Sequence, residues 1–260
     1  MKKPLDFLNN LKSFFIEIGE LSLFAQRFFK ESISKPFEFK ELLRQCYSIG
    51  NKSLFLVAIT GFIIGLVITL QTRPTLEEFG AESWMPSMVS ISIIREIGPV
   101  IIALTFAGRI ASGIGAELGS MRVTEQIDAM EVSGTNPFKY LVVTRVLAAT
   151  LMLPILVLMG DAIALYGSYI IENIKGEVSF LLYFNKVFDA LEFGDIIPAI
   201  IKTYFFGFAI GLVGCFKGYY CEKGTVGVGL AANSAVVFAS MLLFILDFIA
   251  VFITDIFVEI

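Results

Sequence analysis

Apolar residues fill most of the chain in long stretches, separated by shorter segments that are rich in polar and charged residues. Five of these stretches approach the length of about 20 residues that a helix needs to cross a hydrocarbon layer of about 30 Å. They cover about residues 53–70, 86–108, 141–165, 197–216 and 235–254. The pattern therefore predicts an all-α integral membrane protein with five transmembrane helices.

The first 45 residues follow a different pattern. Apolar residues recur there three or four positions apart, at Leu5, Leu8, Leu11, Phe15 and Ile18. Charged residues such as Lys12 and Glu17 lie between them, so that a helix is apolar on one face only. We expect an amphipathic helix in the plane of the membrane interface over residues 1–45, followed by one transmembrane domain over residues 46–260.

Composition agrees with a membrane domain. Hydrophobic residues make up 56% of the 260 residues and charged residues 17%, with a mean hydropathy of +0.79. Soluble domains are about 45–50% apolar and about 25% charged. The net charge of −4 adds little, because charge in a membrane protein matters by side of the membrane rather than in sum.

Residue content excludes several kinds of active site. The chain has no histidine, which rules out Ser-His-Asp and Cys-His catalysis and zinc sites with histidine ligands. Its three cysteines, Cys46, Cys215 and Cys221, show no CxxC spacing and are expected to be small buried hydrophobic residues. No GxxxxGK[ST] loop is present, so a Walker-type ATP site is excluded. We expect no catalytic residue, no metal site and no cofactor in this chain.

Lysine and arginine are distributed unevenly along the chain. If the N-terminus is cytoplasmic, the segments on that side hold nine of them in residues 1–52, four in residues 109–145 and two in residues 217–224. The other side keeps four, at Arg73, Lys175, Lys186 and Lys202. Because cytoplasmic segments carry the excess of positive charge, the count predicts a cytoplasmic N-terminus and a C-terminus on the opposite side.

Two adjacent charged residues, Arg95 and Glu96, lie inside the second predicted span. Ionised groups at mid-membrane cost about 2.5–3.5 kcal/mol each on insertion scales, so both are expected to face protein or a substrate cavity. Asp247 lies at a similar depth in the fifth span, and we expect it to offset the charge of Arg95. Asp161 is expected to meet interfacial water near the end of the third span. Gly98-Pro99 is expected to kink the second span.

A polar segment, residues 115–137, separates the second and third spans. Apolar residues recur within it at helical spacing, at Val123, Ile127 and Met130. Gly134 and Pro137 are expected to end this helix. The same segment sets Arg122 against three acidic residues, Glu125, Asp128 and Glu131. An acidic helix is poorly suited to an anionic lipid leaflet, so we expect it to dock on a protein partner with a basic groove.

The stretch from Arg95 to Ala148, REIGPVIIALTFAGRIASGIGAELGSMRVTEQIDAMEVSGTNPFKYLVVTRVLA, resembles the signature of MlaE/YrbE-type permeases. These are the membrane subunits of phospholipid-transporting ABC systems. Weaker agreement comes from GFIIGLVITLQ at residues 61–71, GVGLAANSAVV at 227–237 and LDFI at 246–249. The resemblance covers most of residues 40–255.

The resemblance implies a homodimer in a bacterial inner membrane, with an interfacial N-terminal helix and five spans in each copy. It also implies a cytoplasmic ABC ATPase, which binds ATP and Mg, and a periplasmic MCE-domain protein that exchanges phospholipid. Some systems of this family add a small STAS-domain protein. No nucleic-acid partner is expected, because the basic residues are dispersed rather than gathered into one patch.

The resemblance also assigns residues by position. The region from 117 to 134 resembles the coupling helix of the family, with candidate contacts to the ATPase at Glu117, Arg122, Thr124, Glu125, Asp128 and Glu131. Arg95 and Glu96 match a charged pair near the lipid cavity. The cavity wall corresponds to the end of the first span and the loop beyond it, which here supply Ile68, Leu76 and Phe79.

Two other functions are compatible with the residues alone. A stand-alone carrier would use Arg95, Glu96 and Asp247 as an ion or proton path and would transport without an ATPase. A structural membrane scaffold would use the same charges only to hold helices together. An ATPase encoded next to an MCE-domain protein would favour the permease over both.

Overall fold

A computed structural model of the chain describes residues 3–35 and 37–258, with side chains over residues 15–35 and 37–256. Within these ranges the secondary structure is helical throughout. The α-helices are α1 (Lys3–Ile33), α2 (Phe39–Glu78), α3 (Met85–Ser92), α4 (Gly98–Val123), α5 (Gln126–Val132), α6 (Thr144–Gly176), α7 (Phe180–Ala190), α8 (Phe193–Tyr219) and α9 (Thr225–Val258). The side chains of Leu5, Leu8 and Leu11, which were predicted to lie on the apolar face of the first helix, are outside the described ones.

Five helical segments are long and apolar enough to cross a membrane. They are Phe39–Glu78, Glu82–Val123, Phe138–Gly176, Phe193–Tyr219 and Thr225–Ile256. The prediction of an all-α membrane protein with five spans is thereby confirmed. Each segment extends beyond its predicted span, because hydropathy marks the apolar part of a helix and the polar ends continue past it. The two ends of the bundle are named here after the short helices that they carry, the α5 end and the α7 end.

The second and third spans each contain a π-helical turn. Ile93–Ile97 joins α3 to α4, and Phe138–Val143 leads into α6. Pro99 follows the first of these turns and has no N–H, so it leaves one carbonyl of the preceding turn without its usual helical partner. The predicted irregularity near Gly98-Pro99 is therefore present as a π-turn on its N-terminal side. π-Turns of this kind are frequent at functional sites.

Small residues bring α2 and α6 into close contact. A Cβ built on Gly61 would collide with the carbonyl oxygen of Gly160, and one built on Gly65 would collide with the carbonyl oxygen of Ala164. Helices in membranes associate through such close backbone packing, because lipid supplies no hydrophobic drive between them. This pairing is the most extensive helix contact in the molecule.

A buried hydroxyl cluster lies where α7 meets the α2–α6 pair. Ser168 accepts hydrogen bonds from Thr69 Oγ1 at 2.6 Å and from the Tyr183 hydroxyl at 2.7 Å. Burial raises the pKa of Tyr183 to about 12, so this hydroxyl stays protonated and donates. α7 was not predicted, because its 11 residues are too short for a transmembrane span.

Arg73 and Glu172 form a buried ion pair at the same end. Arg73 Nη1 lies 2.8 Å from Glu172 Oε1, and its Nε lies 2.5 Å from Glu77 Oε1. Arg73 is a buried residue of α2, and its predicted place on the outer side of the membrane stays a prediction. The pair joins α2 to α6 beyond their small-residue contact.

The N-terminal helix packs on the bundle through aromatic residues. Phe24 and Phe28 are almost fully buried, and the Phe24 ring lies 4.9 Å from that of Phe138 and 5.5 Å from that of Phe216. Phe15 and Ile18 of the predicted apolar face are exposed, and their contact with lipid stays a prediction. The part of α1 that the sequence pattern did not single out therefore holds the helix to the bundle.

Candidate functional site

A cluster of ion pairs forms inside the bundle around Lys202 of α8. The side chain of Lys202 is buried, and its Nζ donates to Glu96 Oε2 at 2.6 Å and to Asp247 Oδ1 at 3.0 Å. The three residues come from the π-turn of the second span, from α8 and from α9. One cation thus holds three spans together at a depth where unpaired charges are costly.

The predicted pairing of Arg95 with Asp247 is wrong. Asp247 binds Lys202, and the Nε of Arg95 lies 3.5 Å from Oδ1 of Asp195 at the start of α8. Depth along a span was used to pair the two residues, but depth does not fix which way each helix face points. Arg95 is half exposed and points toward the first turn of α8, whereas Glu96 points toward Lys202.

Lys202 is a member of the candidate site that the sequence pattern was not used to predict. It was counted with the charges on the outside, although it lies inside the predicted span 197–216. Arg95 and Glu96 were recognised because they are charged residues inside an apolar span. Lys202, the sixth residue of its predicted span, carries the same signal. The structure places this lysine at the centre of the cluster.

An apolar groove between α8 and α9 opens beside these ion pairs. The cavity has a volume of about 500 Å³ and is lined by Pro198, Phe205, Phe206, Leu246, Ile249 and Ile253. Lys202 also lines it, and a smaller cavity that shares Lys202, Pro198 and Gly194 continues toward Arg95 and Asp195. An apolar groove that ends at a charged cluster matches the two parts of an amphiphile.

Asp161 does not meet water, contrary to the sequence prediction. It is a buried residue of α6, and its Oδ1 has no hydrogen-bond partner among the residues that the structure describes. α2, the π-turn of the second span and α8 all pack against α6, which shields this position from the surface. The third span continues 15 residues past Asp161, so this residue lies well inside the helix.

The predicted cavity-wall residues Ile68, Leu76 and Phe79 lie elsewhere in the single chain. Ile68 and Leu76 pack on a small apolar cluster at the α7 end, around Met85 and Tyr183. Phe79 follows the end of α2 and is 79% exposed. Within the described chain none of the three lines the α8–α9 groove. Their assignment to a lipid cavity stays a prediction.

The coupling region is not one continuous helix. α4 ends at Val123, and α5 begins at Gln126 after Glu125, whose φ of 59° is left-handed. The predicted apolar seam through Val123 is therefore broken, and only its later part forms the inner face of α5, where Ile127 is fully buried. A left-handed non-glycine residue is uncommon and marks a backbone held by its surroundings.

The acidic residues of α5 point outward. Glu125, Asp128 and Glu131 are all exposed, and Asp128 Oδ1 lies 2.5 Å from Nη1 of Arg122. Thr124 is exposed, and its Oγ1 donates to the carbonyl of Ser120 at 2.8 Å. The structure thus brings the predicted charges to one surface and leaves Glu125 and Glu131 without an ion pair within the described residues.

Glu117 has an intramolecular role. Its Oε1 accepts a hydrogen bond of 2.7 Å from Nη2 of Arg145, which is 3% exposed in α6. The pair joins the ends of α4 and α6 on either side of α5. Glu117 therefore supports the position of α5, in addition to its predicted place in the coupling region.

A cavity of about 420 Å³ separates α5 from the turn between α8 and α9. Its lining combines Arg122, Glu125 and Asp128 with the turn residues Tyr220, Glu222 and Lys223. The turn was not predicted to contribute to this surface. Its approach to α5 arises because α4 packs on both α8 and α9. Burial raises the pKa of Cys221, which lies in the same turn, so its thiol stays protonated.

The side chains of the described residues include no group of three or more histidine, cysteine, aspartate or glutamate residues placed to hold a metal ion. The acidic residues of the cluster are instead neutralised by Lys202 and Arg95. The arrangement places a charged cluster beside an apolar groove.

Comparison with known proteins identifies the family. The family described as Permease MlaE matches residues 42–253. A probable ABC transporter permease protein of Rickettsia felis is 40% identical over 243 residues, which cover 94% of this chain and 93% of that protein. A second probable ABC transporter permease, from Synechocystis, is 34% identical over 209 residues, or 80% of each chain.

A third relative carries a more specific description. The intermembrane phospholipid transport system permease protein MlaE of Haemophilus influenzae is 32% identical over 239 residues, which cover 91% of each chain. The match extends over nearly the whole length of both proteins. This chain is therefore a multi-pass membrane protein that belongs to the MlaE permease family of ABC transporters.

Proposed function

We propose that the chain is the permease subunit of an ABC-type phospholipid transport system in a bacterial inner membrane. It passes phospholipid between this membrane and a periplasmic MCE-domain partner, and a separate cytoplasmic ATPase drives the movement. Family membership and the description of the Haemophilus influenzae relative support this proposal. The observation that carries it is the apolar groove that ends at the Lys202 cluster.

The groove binds the acyl chains of a phospholipid, and the charged residues beside it bind the head group. Acyl chains are bound by Phe205, Leu246 and Ile253, which offer aromatic and aliphatic surface. The phosphate of the head group is drawn to Arg95, whose guanidinium is half exposed and lies 3.5 Å from its ion-pair partner Asp195. Lys202 already forms ion pairs with two carboxylates, and these pairs fix the shape of the site.

A second copy of the chain completes the cavity. α9 exposes a row of aromatic side chains, Phe244, Phe248 and Phe252, and the groove lies along the same helix. In the homodimer the two α9 helices and the neighbouring ends of α2 enclose one central cavity. Ile68, Leu76 and Phe79 then form part of its wall, as the family resemblance implies.

The ATPase docks at the α5 end, which faces the cytoplasm. The excess of lysine and arginine on that side supports this orientation. The chain has no Walker-type loop, so ATP and Mg are bound by the partner. Glu125 and Glu131 offer charge to a basic groove on the ATPase, and the turn at Glu222 and Lys223 forms the opposite wall of the docking surface.

Closure of the ATPase moves the two α5 helices of the dimer toward each other. The Arg145–Glu117 pair and the packing of Ile127 transmit this movement to α4 and α6. α4 packs on α8 and α9, which form the groove, so the shape of the groove changes with each cycle. The permease therefore needs no catalytic residue of its own.

The test is purification of the chain from bacterial membranes in mild detergent, with mass spectrometry of the proteins and lipids that accompany it. We expect an ABC ATPase, an MCE-domain protein and phospholipid. Ala250→Trp fills the groove and is expected to reduce the bound phospholipid at least about threefold, since a groove filled by protein excludes an acyl chain.

Leu158→Trp is the control, because Leu158 is an exposed apolar residue of α6 that lies outside the lining of the groove. It is expected to retain the lipid of the wild type. Purification without an ATPase and without phospholipid contradicts the proposal, and so does equal lipid content in the two variants.

A further inference from the structure

Asp161 is a carboxyl group in a place that does not suit a charge. It is 6% exposed in the middle of α6, and Oδ1 finds no hydrogen-bond donor in the described part of the chain. An ionised carboxylate that is removed from water needs hydrogen bonds or a paired cation to compensate for lost hydration. Neither is present at this oxygen.

A backbone acceptor lies beside the same position. A Cβ built on Gly98 would overlap Oδ1 of Asp161 and would lie 2.8 Å from the carbonyl oxygen of Ile93. The two oxygens therefore flank the same point beside Gly98. Two acceptors placed side by side repel each other, unless one of them carries a hydrogen.

The charged groups around Asp161 do not neutralise it. Lys202 is the charged side chain that acts on it electrostatically among the described residues. The ammonium of Lys202 already donates to Glu96 at 2.6 Å and to Asp247 at 3.0 Å. α2 carries no ionisable residue between Lys52 and Arg73, and α3 carries none at all.

We propose that Asp161 binds a proton in this conformation and that its hydroxyl donates a hydrogen bond to the Ile93 carbonyl oxygen. This carbonyl already accepts the N–H of Gly98 and has a second lone pair available. The site is thus a proton-binding site that neither the family match nor the ion-pair cluster assigns. The bound proton gives the buried carboxyl a hydrogen bond, so that no second cation is needed to compensate for its burial.

The bound proton gives Asp161 a positioning role. The hydrogen bond braces the π-turn Ile93–Ile97, which carries Arg95 and Glu96. When Asp161 is neutral, Lys202 forms its ion pairs with Glu96 and Asp247 alone. An ionised Asp161 would also attract Lys202 and so weaken these pairs. Asp161 therefore sets the geometry of the charged cluster without touching the substrate.

Infrared spectroscopy of the full-length chain in lipid nanodiscs at pH 7 tests the protonation directly. Wild type and Asp161→Asn are compared, and the difference is expected to show loss of a protonated-carboxyl C=O stretch. The exposed Asp189→Asn variant serves as a control for the position of carboxylate bands. A difference that is confined to carboxylate bands for Asp161→Asn overturns the proposal.

A second measurement uses the wild type and so does not depend on how a variant folds. Wild-type protein labelled with ¹³C at the side-chain carboxyl of aspartate should show a shift of the protonated-carboxyl band relative to unlabelled protein. Absence of any shifted band overturns the proposal. Both infrared measurements are independent of the proposed transport function, so their failure is distinguishable from its failure.

The positioning role rests on the proposed function and is tested by phospholipid transfer in the reconstituted complex. Asp161→Asn keeps a hydrogen-bond donor of the same shape and is expected to stay within about twofold of wild type. Asp161→Leu has no donor and is expected to lower transfer about tenfold. Equal impairment in the two variants shows that the negative charge is required and overturns the proposal.

Discussion

Arg145 of α6 donates a hydrogen bond of 2.7 Å from Nη2 to Oε1 of Glu117 in α4, while its Nη1 donates to the Leu141 carbonyl at 3.0 Å. The pair ties together the two spans that enter and leave the α5 segment. Because α5 is only seven residues long and follows a left-handed residue, its position depends on the helices that flank it. The ion pair fixes these helices relative to each other.

Glu117→Gln is expected to weaken this tie. Glu117 is partly exposed, so solvent screens the interaction, and we expect a loss of about 1 kcal/mol in stability. Thermal unfolding of the purified chain in detergent measures the effect. Glu131→Gln is the control, because Glu131 is exposed and forms no ion pair within the described residues. Identical melting of the two variants contradicts a stabilising role for Glu117.

Lys202→Met is expected to impair folding, because it leaves Glu96 and Asp247 without their shared cation inside the bundle. The yield of monodisperse protein should fall at least about threefold, as size-exclusion chromatography measures. The triple variant that adds Glu96→Gln and Asp247→Asn removes the unpaired charges and should recover much of this yield. A triple variant that folds no better than the single one shows that the ion pairs do not hold the spans together.

Glu125→Lys is expected to weaken the binding of the ATPase about tenfold, since it reverses a charge on the α5 surface. Glu177→Lys is a close match as a control, because Glu177 is also an exposed glutamate with a left-handed backbone, at φ 52°, but lies at the α7 end. Binding is measured by the amount of ATPase that co-purifies. If the Glu177 variant loses the ATPase equally, the α5 end is not the docking surface.

Gly65→Ala is expected to separate α2 from α6, because a methyl group at this position meets the Ala164 backbone. Such overpacking costs about 1–3 kcal/mol. Gly108→Ala on α4 meets no atom within 4 Å and is expected to be neutral or to stabilise by up to about 1 kcal/mol. Thermal unfolding of both variants in detergent measures the difference. A Gly65 variant as stable as wild type shows that close backbone packing is not needed there.

Hydropathy predicted the fold well, because five apolar stretches in a chain of this length leave few other arrangements. It could not predict α7, whose apolar face is short and packs on other helices instead of crossing lipid. Nor could it predict the extent of α2, which runs from Phe39 to Glu78 and has polar residues at both ends. The orientation and the division at residue 45 stay predictions.

The candidate site was predicted in part. Arg95, Glu96 and Asp247 were recognised as charges within spans, and all three lie in or beside the cluster. Their pairing was not predictable, because sequence gives the depth of a residue but not the rotation of its helix. Glu125 shows a similar limit, since its left-handed backbone results from tertiary packing and not from its own preference.

Transfer of a fluorescent phospholipid from reconstituted vesicles to the periplasmic partner tests the central claim most directly. Four samples are compared, namely the chain alone and the chain with its ATPase, each with and without ATP. We expect transfer only when ATPase and ATP are both present, and no ATP hydrolysis by the chain alone. Transfer by the chain alone, or hydrolysis without the partner, would contradict it.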